Sequence, residues 1–265
     1  MKQMMVFAFV ASFFLTLPEV SLAGDGAVMP SVKEIVDKAV AKSKALDKMR
    51  LGYTVIQHVT VEKLDDGEVE EKDELLIKVV PVGKTRYGRV VKKNGKPLAG
   101  DDLEKEQERE KEFREAIAKG ETPKEQKHGK FVFDEDFVAK YNFTLKGKIE
   151  VNGRPAYVLA FKPKSKNLPE KKEADRFLNK TRGTLWIDCE EYVIAKASSR
   201  LMEPIKILGG IVASIKKFEF TMTQKKVGDL WFPTRVHQKI AGRKLVSSFD
   251  TRIDVRFDPF KKIAH

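Results

Sequence analysis

The side chains able to do chemistry near neutral pH are few and scattered: His58, His128, His237, His265 and a lone thiol, Cys189. No two of the histidines stand at the helical spacing that holds zinc in hydrolases. Gly-x-Ser-x-Gly, a phosphate-binding glycine loop ending in Lys-Ser or Lys-Thr, and a dinucleotide fingerprint after a strand are all missing. Asp188, Glu190 and Glu191 surround Cys189, and neighbouring carboxylates disfavour a thiolate, so it reads as a hairpin-turn cysteine without a chemical role. His58 shares the polar side of its segment with Thr54, Thr60 and Glu62 and reads as solvated. Asp134-Glu135-Asp136 is too short for a calcium loop and lacks its glycine, so it reads as a helix cap. No catalytic set, metal centre or cofactor site is therefore expected. A non-enzymatic binder or interaction module is what remains.

The whole chain has 265 residues with 51 Lys plus Arg, 39 Asp plus Glu, and 42% hydrophobic residues. That composition disfavours disorder, collagen and disulfide scaffolds. Residues 1–23 read as an export signal: Lys2, an apolar run over 4–17, Pro18, and Ser21-Leu22-Ala23 as a small-x-small cleavage site before Gly24. The apolar run is too short to span a bilayer, which needs about 20 residues. Residues 24–265 are expected to form one soluble periplasmic or secreted domain, a monomer, whose single cysteine permits no internal disulfide. No cysteine follows the cleavage site to accept a lipid. The net charge of +12 is partly offset within the chain, since residues 62–74 carry eight acids and two bases whereas 78–97 carry seven bases and no acid, a pattern suited to adjacent strands. The remaining surplus suits an anionic membrane surface. Nucleic acid is not expected, because the basic faces lack interleaved aromatic residues.

The elements that must position any site are mostly strands. Ser31-Val-Lys-Glu34 is a capping box opening an amphipathic helix of about 16 residues, and a second helix is expected over 101–119 with Asp101 as cap. Glu106 and Glu110 interrupt the second helix's apolar side, so it is expected to bury little. Alternation of period two marks strands from 51 onward, at 74–80, 85–92, 141–151, 157–161, 184–188, 192–201, 212–225, 230–240 and 244–258. Turns are expected at Asn94-Gly95, Asn152-Gly153 and Ala241-Gly242. About ten short strands joined by hairpins imply one large antiparallel sheet or partial barrel.

Such a sheet has more apolar face than two helices can cover. Either it closes into a packed barrel, or an apolar hollow remains. Tyr53, Phe143, Tyr157, Trp186, Phe218 and Phe220 are the aromatic candidates for lining a hollow. Ile207 and Leu208 lie in an apolar segment around Pro204 and Gly209-Gly210, which reads either as core between two strands or as an adaptable loop at the cavity mouth beside Lys206, Lys216 and Lys217.

Two segments, Glu150-Val-Asn-Gly-Arg-Pro-Ala-Tyr-Val-Leu-Ala-Phe-Lys-Pro and Arg182-Gly-Thr-Leu-Trp-Ile-Asp-Cys-Glu-Glu-Tyr-Val-Ile-Ala-Lys, resemble the LolA-like, outer-membrane lipoprotein-sorting superfamily. The resemblance implies an α+β, mainly β fold: an antiparallel half-barrel of about ten strands with helices covering the concave face. It also implies binding of lipid or lipoprotein acyl chains in that hollow, with a role in lipoprotein sorting. The alternative it leaves open is an envelope interaction or sensor module of the same fold that binds a protein partner. The helix at 101–119, the basic loop at 162–172 and the apolar segment at 205–215 look like additions to the carrier pattern.

Overall fold

The computed structural model describes residues 29–123, 133–165, 168–170, 173–207, 213–245 and 247–263, so the expected export signal and Leu208 lie outside the described residues. The first helix, α1, is Val32–Met49. Ser31 Oγ accepts from the Glu34 N–H at 3.1 Å, satisfying one orphan donor of the first turn. Its apolar stripe, Ile35, Val36, Ala39, Val40 and Leu46, is buried throughout.

A 3-10 turn at Arg50–Gly52 leads into β1 (Tyr53–Asp65), β2 (Glu68–Val82), β3 (Thr85–Lys93) and β4 (Lys96–Pro97). After α2 (Gly100–Ala118) and α3 (Glu135–Lys140) come β5 (Tyr141–Val151), β6 (Arg154–Pro163), α4 (Glu173–Leu178), β7 (Thr181–Asp188) and β8 (Ile194–Leu201). The chain then runs through β9 (Ile205–Ile207), β10 (Ala213–Val227), β11 (Leu230–Lys244), β12 (Ser247–Phe257) and β13 (Lys261–Lys262). All belong to one antiparallel sheet ordered β4-β3-β2-β1-β12-β11-β10-β8-β7-β6-β5, with β13 on β1 and β9 on β10. The order does not close, so the fold is the expected open α+β half-barrel. Its ten strands of eight residues or more are the ones whose alternation is readable.

Local chemistry explains the turns and one departure. Asn94-Gly95 and Asn152-Gly153 have positive φ at both positions, 50° and 78° then 54° and 78°, as two-residue hairpins of matching twist require. Gly242, expected at a turn, lies inside β11 opposite Phe249. A Cβ there would meet Ser214 O at 2.1 Å and the Phe249 ring at 2.8 Å. Gly183 repeats the arrangement under Phe161, whose ring would lie 2.6 Å from an added Cβ. Each pair lets an aromatic ring lie flat over a strand glycine, a device of strongly coiled sheets.

Register fixes what each face carries. One row of directly paired residues crosses nine strands as Leu145, Leu159, Leu185, Ala197, Met222, Val236, Val255, Val59 and Leu75. Every member is apolar, so this side of the sheet is a continuous apolar face. Helix α1 packs Ile35, Val36, Ala39 and Val40 onto it together with Leu159, Leu185, Ile187 and, from α3, Phe137. Burying each such side chain stabilises by roughly 1.5–3 kcal/mol.

Helix α2 departs from expectation. Its N-cap is Ala99 without a side-chain bond, rather than Asp101, and it packs Phe113 on Tyr87 and Val82, residues that the register places on the opposite face from Val79. The carboxylates expected to weaken it are what dock it. Glu106, buried, accepts from Tyr87 Oη at 2.8 Å, from the Val90 N–H at 3.2 Å and from Arg109. Glu110 receives both Arg89 Nε and an Arg89 terminal nitrogen at 2.6 Å. The basic β3 thus pairs with α2, while the acids of β1 and β2 pair with their own lysines, Lys63 with Glu71 and Lys72 with Glu74. The reason is register: Leu75 already faces Lys93, the end of β3, so the acidic stretch runs past it.

The β7–β8 turn is held by Asp188. Its carboxylate, 1% exposed, takes a forked contact from Arg154 at 2.6 and 3.1 Å and accepts from the Glu190 and Glu191 N–H groups at 3.1 and 2.8 Å. Burial pushes this carboxyl's pKa up, but Arg154 and the Glu191 N–H outweigh it and hold the pKa below the ordinary carboxylate value. Because the folded-state pKa is depressed, the network contributes fully above the unfolded value of roughly 4 and is lost as pH falls through the folded one. Asp188→Asn is expected to lower unfolding free energy by about 3 kcal/mol at pH 7 and to flatten the stability loss as pH falls below about 4, as measured by urea denaturation across pH.

Candidate apolar binding face

The apolar row changes character along its length. Leu159, Leu185 and Ala197 are buried at 0%, 0% and 3% exposure, under α1. From Met222 through Val236, Val255, Val59 and Leu75 every member is half-buried. On the same face, Ile77, Val61, Ile253, Ile240, Phe218 and Phe220 are also half-buried, and the Phe218 ring meets α4, 4.4 Å from Phe177. The aliphatic residues of β1, β2, β11 and β12 in this stretch belong to none of the three core clusters. The helices therefore divide the face into a covered half over β5–β8 and an uncovered half over β10, β11, β12, β1 and β2, among the described residues.

Buried polar contacts fix where the cover stops. Arg50, just after α1, donates Nε to Trp231 O at 2.8 Å and also reaches Gln224 Oε1. Burial brings its pKa down to about 10, so it remains charged at neutral pH. Gln224, itself buried, donates to Ile194 O at 2.8 Å. This latch ties the end of α1 to the starts of β8 and β11 and keeps the helix from swinging across β1 and β12. Beyond it an aromatic group closes that end of the sheet: Tyr53 meets Phe232 edge-on at 5.2 Å, and Phe232 stacks on Phe260 at 4.3 Å.

The aromatic candidates from the sequence are distributed over these regions. Phe218 and Phe220 lie on the uncovered half by register, and Tyr53 stands at its closed end. Phe143 packs at the margin of the main core, and Tyr157 is inside it at 5% exposure. Burial pushes the Tyr157 phenol up to about 12. Trp186 is on the opposite face, paired with Lys196, whose Nζ sits 4.6 Å from the ring centroid. Ile207 pairs with Ala213 in the β9–β10 hairpin, and Ile205, two residues before it, is buried at 3%. The aliphatic liners Met222, Val236, Val255, Val59 and Leu75 were visible only as alternation, because their alignment in one row depends on β1 pairing with β12 across most of the chain.

Reactive groups offer little. Burial pushes the Cys189 thiol up, away from thiolate. His58 lies 2.9 Å from Asp258 on the exposed surface. Among the described residues no group of three or more His, Cys, Asp or Glu is placed to hold a metal ion, and no helix is long and apolar enough to cross a membrane.

Neither a known family's sequence model nor a curated protein matches this chain. Solved structures similar to it include a DUF1329 family protein from Desulfovibrio piger, 12% identical over 88% of this chain and 94% of that one, with a TM-score of 0.39. A domain described as outer-membrane lipoprotein-sorting from Vibrio parahaemolyticus is 14% identical over 85% and 92%, with a TM-score of 0.35. A LolA superfamily protein from Nitrosomonas europaea is 10% identical over 89% and 96%, with a TM-score of 0.31.

The two halves of the apolar row should respond differently to truncation. Leu159→Ala, in the covered half, is expected to cost about 2–5 kcal/mol. Val59→Ala and Val255→Ala, in the uncovered half, should each cost roughly 1 kcal/mol or less, as measured by denaturant unfolding.

Proposed function

We propose that this protein is a non-enzymatic, periplasmic binder of lipid or lipoprotein acyl chains, which lie on the uncovered half of the apolar face. The observation that carries this reading is the single apolar row that is buried at Leu159, Leu185 and Ala197 under α1 and only half-buried from Met222 through to Leu75, beyond the helix. A patch of this kind on an exported protein wants an apolar occupant, and its parallel rows of aliphatic side chains suit an extended hydrocarbon chain. Each buried methylene contributes about 0.8 kcal/mol, so ten of them give about 8 kcal/mol before the cost of association. The fifteen or so carbons of a palmitoyl chain give about 12 kcal/mol on the same scale, which exceeds the lower end of the association cost, about 4 kcal/mol. The two hairpin segments that resemble LolA-like proteins support the same reading, including a role in lipoprotein sorting.

The test is native mass spectrometry of protein exported in a Gram-negative host and purified without detergent, alongside a Val59→Asp/Val255→Asp variant. The wild type should carry lipid or acylated species in substoichiometric to full amounts, and the variant, with its fold retained by circular dichroism, should carry little. A consistently empty wild type that also fails to bind a fluorescent C16 fatty acid rejects the reading.

A further inference from the structure

The opposite face of the same sheet carries a feature that acyl-chain binding does not use. Across β5–β8 and β10 lies a groove of about 670 Å³, and two adjacent register rows line it. In the first row Asn142 faces Lys162. Because Phe161 faces Gly183, the next position sets Lys162 beside Arg182, and Arg182 faces Arg200 directly. With strands about 4.8 Å apart, three cations stand within about 10 Å of one another. The second row is Thr144, Ala160, Thr184, Ser198 and Thr221, a line of hydroxyls alongside the bases. Lys146, at the β5 bulge, adds a fourth base to the lining, and its one carboxylate, Glu219, is the register partner of Arg200, so four bases stand against one acid.

Like charges directly opposite on a sheet destabilise it, and other facing bases of this sheet have acids at hand: Arg235, which faces Arg256, meets Asp254 at 2.7 Å, and Lys239, which faces Arg252, lies 3.8 Å from Asp250. The four groove bases make no ion pair with any described residue. Hydroxyl donors beside a guanidinium pair match the oxygens of a phosphate, which arginine binds through two parallel N–H donors. We propose that this groove is a second binding site, for a compact phosphorylated ligand, whose phosphate bridges Arg182 and Arg200 with Thr184 and Ser198 as hydroxyl donors. The site is independent of the acyl-chain face, since the two lie on opposite sides of the sheet.

Calorimetric titration with inorganic pyrophosphate, and flotation with phosphatidylcholine vesicles containing 10% phosphatidic acid, separate a soluble source of the phosphate from a lipid one. Three forms are compared: wild type, Arg182→Gln/Arg200→Gln, and Lys92→Gln/Lys96→Gln, which removes the same charge from exposed bases at the other edge of the sheet. Saturable wild-type binding to either probe, weakened about tenfold or more in the arginine variant and less than about twofold in the lysine variant, is the expected result. The ligand-free arginine variant should melt within a few degrees of wild type, because both arginines are exposed and the like-charge contact removed offsets the lost pairing of Arg200 with Glu219, which keeps loss of binding distinct from loss of fold. Absence of binding to both probes, or equal weakening in the two variants, overturns the proposal.

Discussion

The structure depends on one mismatch of areas. Hydrogen bonding through β1 and β12 joins the start of the chain to its end and makes a single sheet whose apolar face crosses nine strands, while the helix that packs on it, α1, has 18 residues. A helix is about 10 Å across with its side chains, the width of only two or three strands. Helices α3 and α4 extend the cover only over β5–β8 and the near part of β10. The sheet's edges at β4 and β5 are far apart in the strand order, so among the described residues the apolar side chains beyond these helices stay partly exposed. The half-exposed face follows from the covering geometry rather than from any unusual residue.

Polar chemistry then decides where the division falls. Arg50, Gln224 and Trp231 form a buried latch at the end of α1, and Asp188 with Arg154 pins the turn between β7 and β8 beside it. Buried charged groups without partners are costly, so these contacts give α1 one seat. Helix α2 adds no cover, because Glu106 and Glu110 bind it to β3 on the opposite face. Among the described residues, one face therefore keeps an open apolar region and the other a groove with four bases and one carboxylate.

Much of this was legible in the residues. Period-two alternation located the ten long strands, the Asn-Gly pairs located two hairpins, and the Ser31 capping box located α1. What escaped the sequence was non-local. Gly242 has the type of a turn residue, and only Phe249 lying over it explains why it belongs to a strand. Glu106 and Glu110 read as interruptions of an apolar stripe because their partners, Tyr87, Val90 and Arg89, come from another element. Trp186 looked equivalent to Phe143 and Tyr157, yet the pairing of β7 with β8 turns it to the opposite face. The chain's alternation tells which residues share a face within a strand; which faces coincide between strands waits on register.

The most direct test of the central claim, that hydrocarbon occupies the face over β10, β11, β12, β1 and β2, is photocrosslinking with a diazirine-bearing palmitate followed by peptide mapping. Adducts concentrated at Val59, Met222, Val236 and Val255, and suppressed by excess unlabelled palmitate, are the predicted outcome. Adducts confined to the opposite face, around Trp186 and Thr184, or spread without competition over the surface, contradict it.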